Sequence, residues 1–419
     1  MGDCPRDLGD RSGAVHSGYS CGRGGAMRVC HIVYASYPAD PRVRREVDAL
    51  REASYNVSVI ALRAAGQSAH ERVDGVTVHR VPLEARRGGR IRYLFQYLLF
   101  FLLSTTLLLS LHVKYRFRVV HVHSLPDFQV FSALPLRLLG VSVILDLHEA
   151  FPEIVSARFR LQPNSPLVRI AHISETLSIA VADQVITVND TIRDLLVRRQ
   201  TRSIRIEVVT NSPDNRVLRM GDRDGLRERL HLTHPAIVYV GGINPERDLA
   251  TLIRAVHVLK DRILFQLVIA GYSDAMHLAS LKTLTTHLGL DGAVSFLNTV
   301  PHEEVLTYLA LSRVGVISYE DSPLTQIAIP TKAFEYAAAG IPMAMADLRA
   351  LRGMFDGAAE FFRPGDPNDL ATAIERIVVD GARASAYVQR AQIVLAENSW
   401  EKMRLRLLAV YRRLGGESS

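Results

Sequence analysis

From Met27 onward, short runs rich in Val, Ile and Leu alternate with longer segments whose apolar positions recur every three or four residues. Runs 29–33, 57–61, 119–122, 141–147 and 184–188 read as strands, and helix-spaced segments separate most of them. A second series begins at Ala236: strand 237–240, helix 245–260, strand 265–270, a helix to residue 288 and strand 293–297. It continues through strand 314–318, helix 331–339, strand 342–346 and helix 369–379. Leu249, Leu252, Ile253, Val256 and Leu259 form the one-sided stripe of a helix laid on a sheet. Continuously apolar strands joined by helices predict parallel sheets covered on both faces. The polar turn Asn211-Ser-Pro-Asp214 and the charged stretch 216–229 mark a boundary. The expected α/β architecture is two doubly wound, Rossmann-like domains, 27–214 and 215–398, with a closing helix at 399–415. Ligands in such sheets bind beyond the carboxyl ends of the strands, so two facing domains define a cleft.

One segment interrupts the alternation. Residues 93–111 carry no charge, and at ~1.5 Å per residue the run approaches the thickness of a bilayer core. Eight basic residues and one acidic residue lie between Arg80 and Arg118 and bracket it. A spanning helix would put strands of one sheet on opposite sides of a membrane. Two readings remain. One is a buried crossover helix; the other, which the surplus of Leu and Phe favours, is a helix lying in the membrane interface. In the second, Arg86, Arg87, Arg90 and Arg92 face acidic headgroups.

Composition narrows the class. At 419 residues, 48% hydrophobic and 22% charged, the chain has the balance of a folded protein of more than one domain. The net charge of +7 favours anionic partners without naming them. Nucleic acid is disfavoured, because the basic residues surround an apolar helix instead of interleaving with exposed aromatics. Cys4, Cys21 and Cys30 give no disulfide or zinc framework, which fits a reducing, cytoplasmic compartment. Residues 1–26, rich in Gly, Ser, Arg and Asp, read as a disordered tail without the apolar core of a signal peptide.

Candidate chemistry lies at strand ends and helix starts. Val119-Val-His-Val-His-Ser124 and Val143-Ile-Leu-Asp-Leu-His-Glu149 are apolar strands ending in titratable residues. His123, Asp127, His148 and Glu149 thus fall where such a sheet presents ligand contacts, the ordinary alternative being hydrogen-bonded loop residues. Gly241 and Gly242 turn a strand toward a helix whose first amides would meet an anion, with Arg247 just inside. In Ile329-Pro-Thr-Lys-Ala-Phe-Glu335, Pro330 and Thr331 start a helix that Gly340 and Pro342 end. Lys332 and Glu335 share one face near its positive end. A carboxylate there can accept from both hydroxyls of a ribose, and the lysine suits a pyrophosphate. The ordinary alternative is a surface Lys–Glu pair.

Together these segments resemble family 4 of the retaining glycosyltransferases, which have the GT-B fold. The resemblance runs from Met27 to Leu414. It rests on Asp40-Pro-Arg-Val-Arg-Arg-Glu46, Val119-Val-His-Val-His-Ser-Leu-Pro-Asp127 and Leu145-Asp-Leu-His-Glu-Ala-Phe-Pro-Glu153. Ala182-Asp-Gln-Val-Ile-Thr-Val188, Gly241-Gly242, Pro330-Thr-Lys-Ala-Phe-Glu-Tyr336 and the final helix after Ser399-Trp-Glu complete it. The resemblance implies that Glu335 holds a nucleotide ribose, that Arg247 and Lys332 meet its phosphates beside Thr331, and that His148 sits by the donor sugar. It places the loop 38–46, with Arg42 and Arg44, toward the acceptor, on the side of His123, Asp127 and Glu149. The implied activity is retaining transfer from a UDP- or GDP-sugar to an acceptor hydroxyl, without a covalent nucleophile. With the basic apolar helix, the acceptor is expected to be lipid-linked and the enzyme peripheral on the inner face of the cell membrane, in cell-surface polysaccharide synthesis.

Three departures stand out. The family's earlier glutamate, eight residues before Glu335, is Ile327 here; its usual Arg after the strand's Gly is Gly242; and Pro41-Arg-Val-Arg44 replaces its Gly-rich first loop. The losses at Ile327 and Gly242 keep open a degenerate transferase that only binds. The nearest rival enzyme is a nucleotide-sugar epimerase or hydrolase on the same fold, which would need no lipid acceptor and no basic apolar helix. Asp222-Arg-Asp224 matches a metal signature of another glycosyltransferase fold but precedes a helix, where aspartates cap; no metal or other cofactor is expected.

Overall fold

The structure, a computed structural model, describes residues 26–84, 90–200, 204–213 and 220–416. The first domain is one eight-stranded sheet. Its strands are β1 (Arg28–Ser36), β2 (Asn56–Leu62), β3 (His70–Val73), β4 (Val76–Val81), β5 (Val119–His123), β6 (Ser142–Leu147), β7 (Gln184–Thr187) and β8 (Ile206–Val208). Their order is β3-β4-β2-β1-β5-β6-β7-β8. All neighbours run parallel except the β3–β4 hairpin. That hairpin and short β8 were not legible in the apolar pattern: His70-Glu-Arg-Val73 is polar, and β8 has three residues.

The second domain carries two three-stranded parallel sheets. β9 (Ala236–Val240), β10 (Gln266–Ala270) and β11 (Val294–Leu297) form one; β12 (Gly315–Ile317), β13 (Met343–Ala346) and β14 (Glu360–Phe362) form the other. A parallel bridge between Ala236 and Ser312, and the bond from Arg313 N to the Ala236 carbonyl at 2.7 Å, continue one into the other. One apolar cluster, from Leu226 to Val394, fills this domain.

Helix α1 (Pro41–Glu52) begins where Asp40 accepts from the Arg42 and Val43 amides, both at 3.0 Å, with Pro41 at the first helical position. Helix α2 (Arg90–Tyr115) contains the charge-free run. Gln96, Phe100, Ser104, Leu108 and Leu111 recur down its inner face and are buried. Leu94, Phe95, Leu98 and Leu102, on the other side, are 46–63% exposed. The helix is long and apolar enough to cross a bilayer, yet the strands before and after it, β4 and β5, share one sheet. Arg86 and Arg87 lie outside the described residues, as do Asp214 and residues 1–25; the Arg90 side chain is likewise outside them, and Arg92 is exposed.

Helix α3 (Phe151–Phe159) leads into α4 (Pro166–Val181), which also turns apolar residues outward: Leu167, Ile170, Ile173 and Leu177 are 38–61% exposed. Helices α2 and α4 both pack on the segment Asp127–Ala133. Asp222 caps the helix Arg223–Arg229 by accepting from Gly225 N at 2.9 Å. Helix α5 (Thr331–Ala338) faces the first domain. Helix α6 (Trp400–Gly415) ends the described chain and packs on the first domain. Its Trp400, Met403, Leu407, Leu408, Val410 and Tyr411 join the cluster beneath β1 and α1, and Arg404 and Arg413 pair with Glu52 and Glu207 at 3.5 and 3.2 Å.

Candidate active site

The carboxyl ends of β5, β6 and β9 open on a cleft of about 710 Å³ between the domains. Ser124, His148, Glu149, Asn189 and Asn211 line one wall; Gly241, Gly242, Arg247, Thr331, Lys332 and Glu335 line the other.

On the second wall the backbones of two strand ends meet closely. A Cβ at Gly271 (φ +153°) would lie 1.8 Å from the Gly241 carbonyl oxygen, and one at Gly241 (φ +147°) 2.6 Å from Lys332 Nζ. Only glycine permits this approach, which leaves the floor of the cleft to backbone. Pro330 caps α5 without any side-chain hydrogen bond. Ala333 N bonds the Pro330 carbonyl at 3.1 Å, and the helix start at Thr331 and Lys332, with the positive end of the dipole, lines the cleft. Lys332, in that turn, donates to the Val240 carbonyl, and its Nζ stands 4.2 Å from the Tyr239 ring centroid. Burial, against the pull of Glu335 and with the push of Arg247, lowers its pKa to about 8. No ion pair joins Lys332 to Glu335, so the surface-pair reading does not hold: both are buried, and the lysine turns back to the strand end. The Arg247 guanidinium lies 4.4 Å from the Tyr319 ring centroid and makes no ion pair among the described residues. This wall carries two cations, a helix start and a carboxylate.

On the first wall, His148 follows β6. Its amide donates to Ser124 Oγ at 3.2 Å, and its Nε2 lies 3.0 Å from Asp146 Oδ2. Its side chain is 22% exposed, whereas Asp146 and His123 behind it are fully buried. Asp146 receives Arg42 through two bonds, Nε at 2.9 Å and Nη2 at 2.8 Å. Burial opposes its ionisation, yet Arg42, His148 and His123 together hold the carboxyl well below its usual range.

Four expected acceptor-side residues therefore lie elsewhere, and of the five only Glu149 lines the cleft. Arg42 is 4% exposed and spends its guanidinium on Asp146, Glu46 and the Val209 carbonyl, because α1 turns it toward the sheet. Arg44, on the opposite face of that helix, points to solvent beside Asp48 and Asp74 at 3.9 and 3.8 Å. Asp127 is fully buried in the turn after β5, where burial, with the charge of Glu175, pushes its carboxyl well above the usual value. His123 sits one layer behind His148 and does not line the cleft.

Sequence reasoning missed the cluster under this wall: His31, Glu46, His121, Asp146 and Tyr411. Alternation supplied a signal for Asp146, since residues two apart on a strand share a face, and Asp146 stands two before His148. Tyr411, 290 residues from His121, carried none. Glu46, His121, His123 and Asp146 carry donor atoms within 4.8 Å of one another, a spacing a divalent ion can bridge. Arg42, against both Asp146 and Glu46, already supplies a cation there.

Two facing Rossmann-like domains with a helix returning to the first, and a cleft at the strand ends, define the GT-B class of glycosyltransferases. Residues 39–212 match the glycosyl transferase 4-like domain, and residues 234–380 match glycosyl transferases group 1. The chain is 30% identical over 323 residues to the D-inositol 3-phosphate glycosyltransferase of a Nocardioides species, spanning 71% of this chain and 68% of that protein. It is 29% identical to the Mycobacterium avium protein of the same name, over 60% of each. Among solved structures, sucrose-phosphate synthase from Thermosynechococcus elongatus superposes with a TM-score of 0.77 at 19% identity, over 94% of this chain and all of that one. Anabaena HepE in complex with UDP-glucose superposes at 0.69 and 12% identity, over 92% of this chain and all of that one. The chain belongs to the GT4-like glycosyltransferases of the GT-B fold, and it is a glycosyltransferase.

Proposed function

We propose that this glycosyltransferase moves a sugar, with retention of configuration, from a nucleotide-sugar to an acceptor hydroxyl. The observation that carries the reading is the convergence of Arg247, Lys332, the uncapped start of α5 and Glu335 on one wall. Two phosphates would meet the two cations and the helix start. The ribose hydroxyls would donate to Glu335. The sugar then extends toward His148 across the cleft, and the departing phosphate guides the acceptor hydroxyl onto the face it leaves. The HepE structures hold UDP and UDP-glucose, which supports a UDP-sugar as the first donor to test. Because Arg247 and Lys332 supply the positive charge, transfer is expected to survive chelation of divalent metal.

The acceptor we infer is anionic and lipid-linked, a phosphorylated polyprenol glycan or a glycolipid in cell-surface polysaccharide synthesis. The protein would meet it as a peripheral protein on the inner face of the cell membrane. The outward apolar faces of α2 and α4 support this. The name of the curated relatives, inositol 3-phosphate glycosyltransferase, supports a phosphate on the acceptor side.

The test is a thermal-shift screen of UDP, GDP and their sugars, followed by transfer assays with the stabilising donor, with and without EDTA. A donor-specific rise in melting temperature and EDTA-resistant transfer are expected. If no nucleotide or nucleotide-sugar shifts the melting temperature, the reading is wrong. Donor binding without transfer to any lipid-linked or phosphorylated acceptor would overturn the acceptor part of the reading.

A further inference from the structure

The buried cluster behind His148 is a connected chain of hydrogen bonds. Asp146 Oδ2 lies 3.0 Å from His148 Nε2 and 3.2 Å from His123 Nδ1. His123 Nε2 lies 2.9 Å from His31 Nδ1, and His31 Nε2 lies 3.3 Å from Tyr411 Oη. Tyr411 Oη lies 2.6 Å from His121 Nδ1, and His121 Nε2 faces Glu46 Oε2 at 3.9 Å.

With Asp146 ionised and the three buried rings neutral, one set of protons satisfies these contacts. It places the N–H groups of His123 and His148, 3.3 Å apart, side by side on Asp146 Oδ2. An ionised carboxylate only accepts, so both nitrogens facing Asp146 carry hydrogen. Burial and neighbouring histidines keep His31, His121 and His123 neutral, with one ring proton each. His123, protonated at Nδ1, leaves Nε2 bare to accept from His31 Nδ1. His31 Nε2 is then bare and accepts the Tyr411 hydroxyl, whose oxygen accepts from His121 Nδ1. His121 Nε2 is left bare beside Glu46, whose carboxyl burial pushes up to about 8 and so keeps protonated. Every proton on Tyr411, His31 and His123 has an acceptor, and none of His31, His121 and His123 needs a charge.

We propose that Asp146 is a positioning residue for His148: clamped by Arg42 and His123, it fixes the imidazole with Nε2 protonated inward and Nδ1 bare toward the cleft. This rests on the reading that His148 meets the reacting sugar. A bare Nδ1 accepts a hydrogen bond from a sugar or acceptor hydroxyl; the other tautomer would donate one instead. The two bonds from Arg42 stop the carboxylate from rotating, so the ring keeps its aim when the cleft fills.

The decisive measurement is ¹⁵N NMR of the full chain labelled at histidine, with the His148 signals assigned by their loss in His148→Gln. A ring with its proton on Nε2 is expected, and a proton on Nδ1 in place of Nε2 would overturn the proposal. In Asp146→Asn, kcat is expected to fall about 100-fold or more while donor KM stays within about threefold, because the nucleotide wall is untouched. A folded Asp146→Asn with wild-type kcat would also overturn it; if that variant does not fold, the wild-type tautomer decides alone. An Nε2-protonated His148 alongside full turnover in His148→Ala would instead remove His148 from transfer and leave the hydrogen-bond assignment intact.

Discussion

The side-chain amide of Asn189 donates to the main-chain carbonyl of Ile327 at 3.0 Å, tying the first domain to the loop that leads into α5. The amide cannot turn away, because its oxygen accepts from Ile192 N at 2.8 Å. Ile327 itself is 3% exposed and packs with the apolar cluster of the first domain. The position at which the family resemblance expects an earlier glutamate is here part of a contact between domains at the edge of the cleft.

Replacing Ile327 with Glu is therefore expected to damage the contact and not to restore a sugar ligand. An unpaired carboxylate among apolar side chains is expected to lower the melting temperature by roughly 5–15 °C. Thermal melts with and without UDP-sugars check this. Tighter donor binding in a stable Ile327→Glu protein would show that the side chain faces the sugar after all.

Much of this was legible in the chain, and the limits have physical causes. The apolar runs located ten of the parallel strands, because strands buried on both faces must be apolar throughout. Gly241, Thr331, Lys332, Glu335 and His148 were legible because strand ends and helix starts are fixed by local turn chemistry. The fates of Arg42 and Asp127 were not. Each sits in a motif at a strand end, but which way a side chain turns there depends on partners such as Asp146, brought from 104 residues away. The Asn189–Ile327 bond is likewise invisible without the fold.

Glu335→Ala is expected to weaken donor binding by about 10- to 100-fold, the worth of a charged hydrogen bond to the ribose. The fold should be little changed, since no ion pair holds Glu335 to Lys332. Calorimetric titration with the nucleoside diphosphate and with a phosphate-only analogue separates the cases: the loss should appear with the former alone. Equal loss with both would move Glu335 from the ribose to the phosphates.

Lys332 gives donor binding a pH dependence of definite sign. Burial lowers its pKa to about 8 in the empty cleft. An adjoining pyrophosphate favours the charged lysine and raises that value. Binding then takes up a proton above pH 8, so affinity is level below 8 and weakens above it by up to about tenfold per pH unit. Titrations from pH 6.5 to about 9.5, with Lys332→Met as control, check this. A slope that persists in Lys332→Met would belong to another group.

Glu46 gives stability a pH dependence of the same sign in a lower window. Its carboxyl is pushed from 4.5 up to about 8, chiefly by burial. A group whose folded value is raised contributes most below its unfolded value and loses that contribution as pH climbs through the folded one. From this residue alone, stability falls between pH 4.5 and about 8. Glu46→Gln keeps a neutral side chain of the same shape and should flatten that decline, leaving the melting temperature at pH 8 equal to or above wild type. A Glu46→Gln protein that loses stability equally at pH 5 and pH 8 would show that Glu46 works as a carboxylate.

The outward faces of α2 and α4 carry the last prediction. Leu94, Phe95, Leu98 and Leu102 on one helix, with Ile170, Ile173 and Leu177 on the other, are too many apolar side chains to leave in water without a partner. Both helices flank Asp127–Ala133, and β4 and β5 keep α2 from crossing a bilayer, so an interfacial position is the way to bury these faces in lipid. Arg92, Lys114, Arg116 and Arg118 are exposed around α2, and Arg158 stands 4.1 Å from the Tyr93 ring centroid at its start. Each basic residue near an anionic surface contributes about 1 kcal/mol, screened over ~10 Å at 0.1 M salt. Detergent-free protein is thus expected to float with anionic vesicles at low salt, less with neutral ones, and less again at high salt. Changing Arg86, Arg87, Arg90 and Arg92 to Ser should weaken the salt-sensitive part, and Phe95→Ser with Leu98→Ser the salt-resistant part. Protein that stays at the bottom of the gradient with anionic vesicles at low salt would remove the membrane from the reading and point to a soluble acceptor.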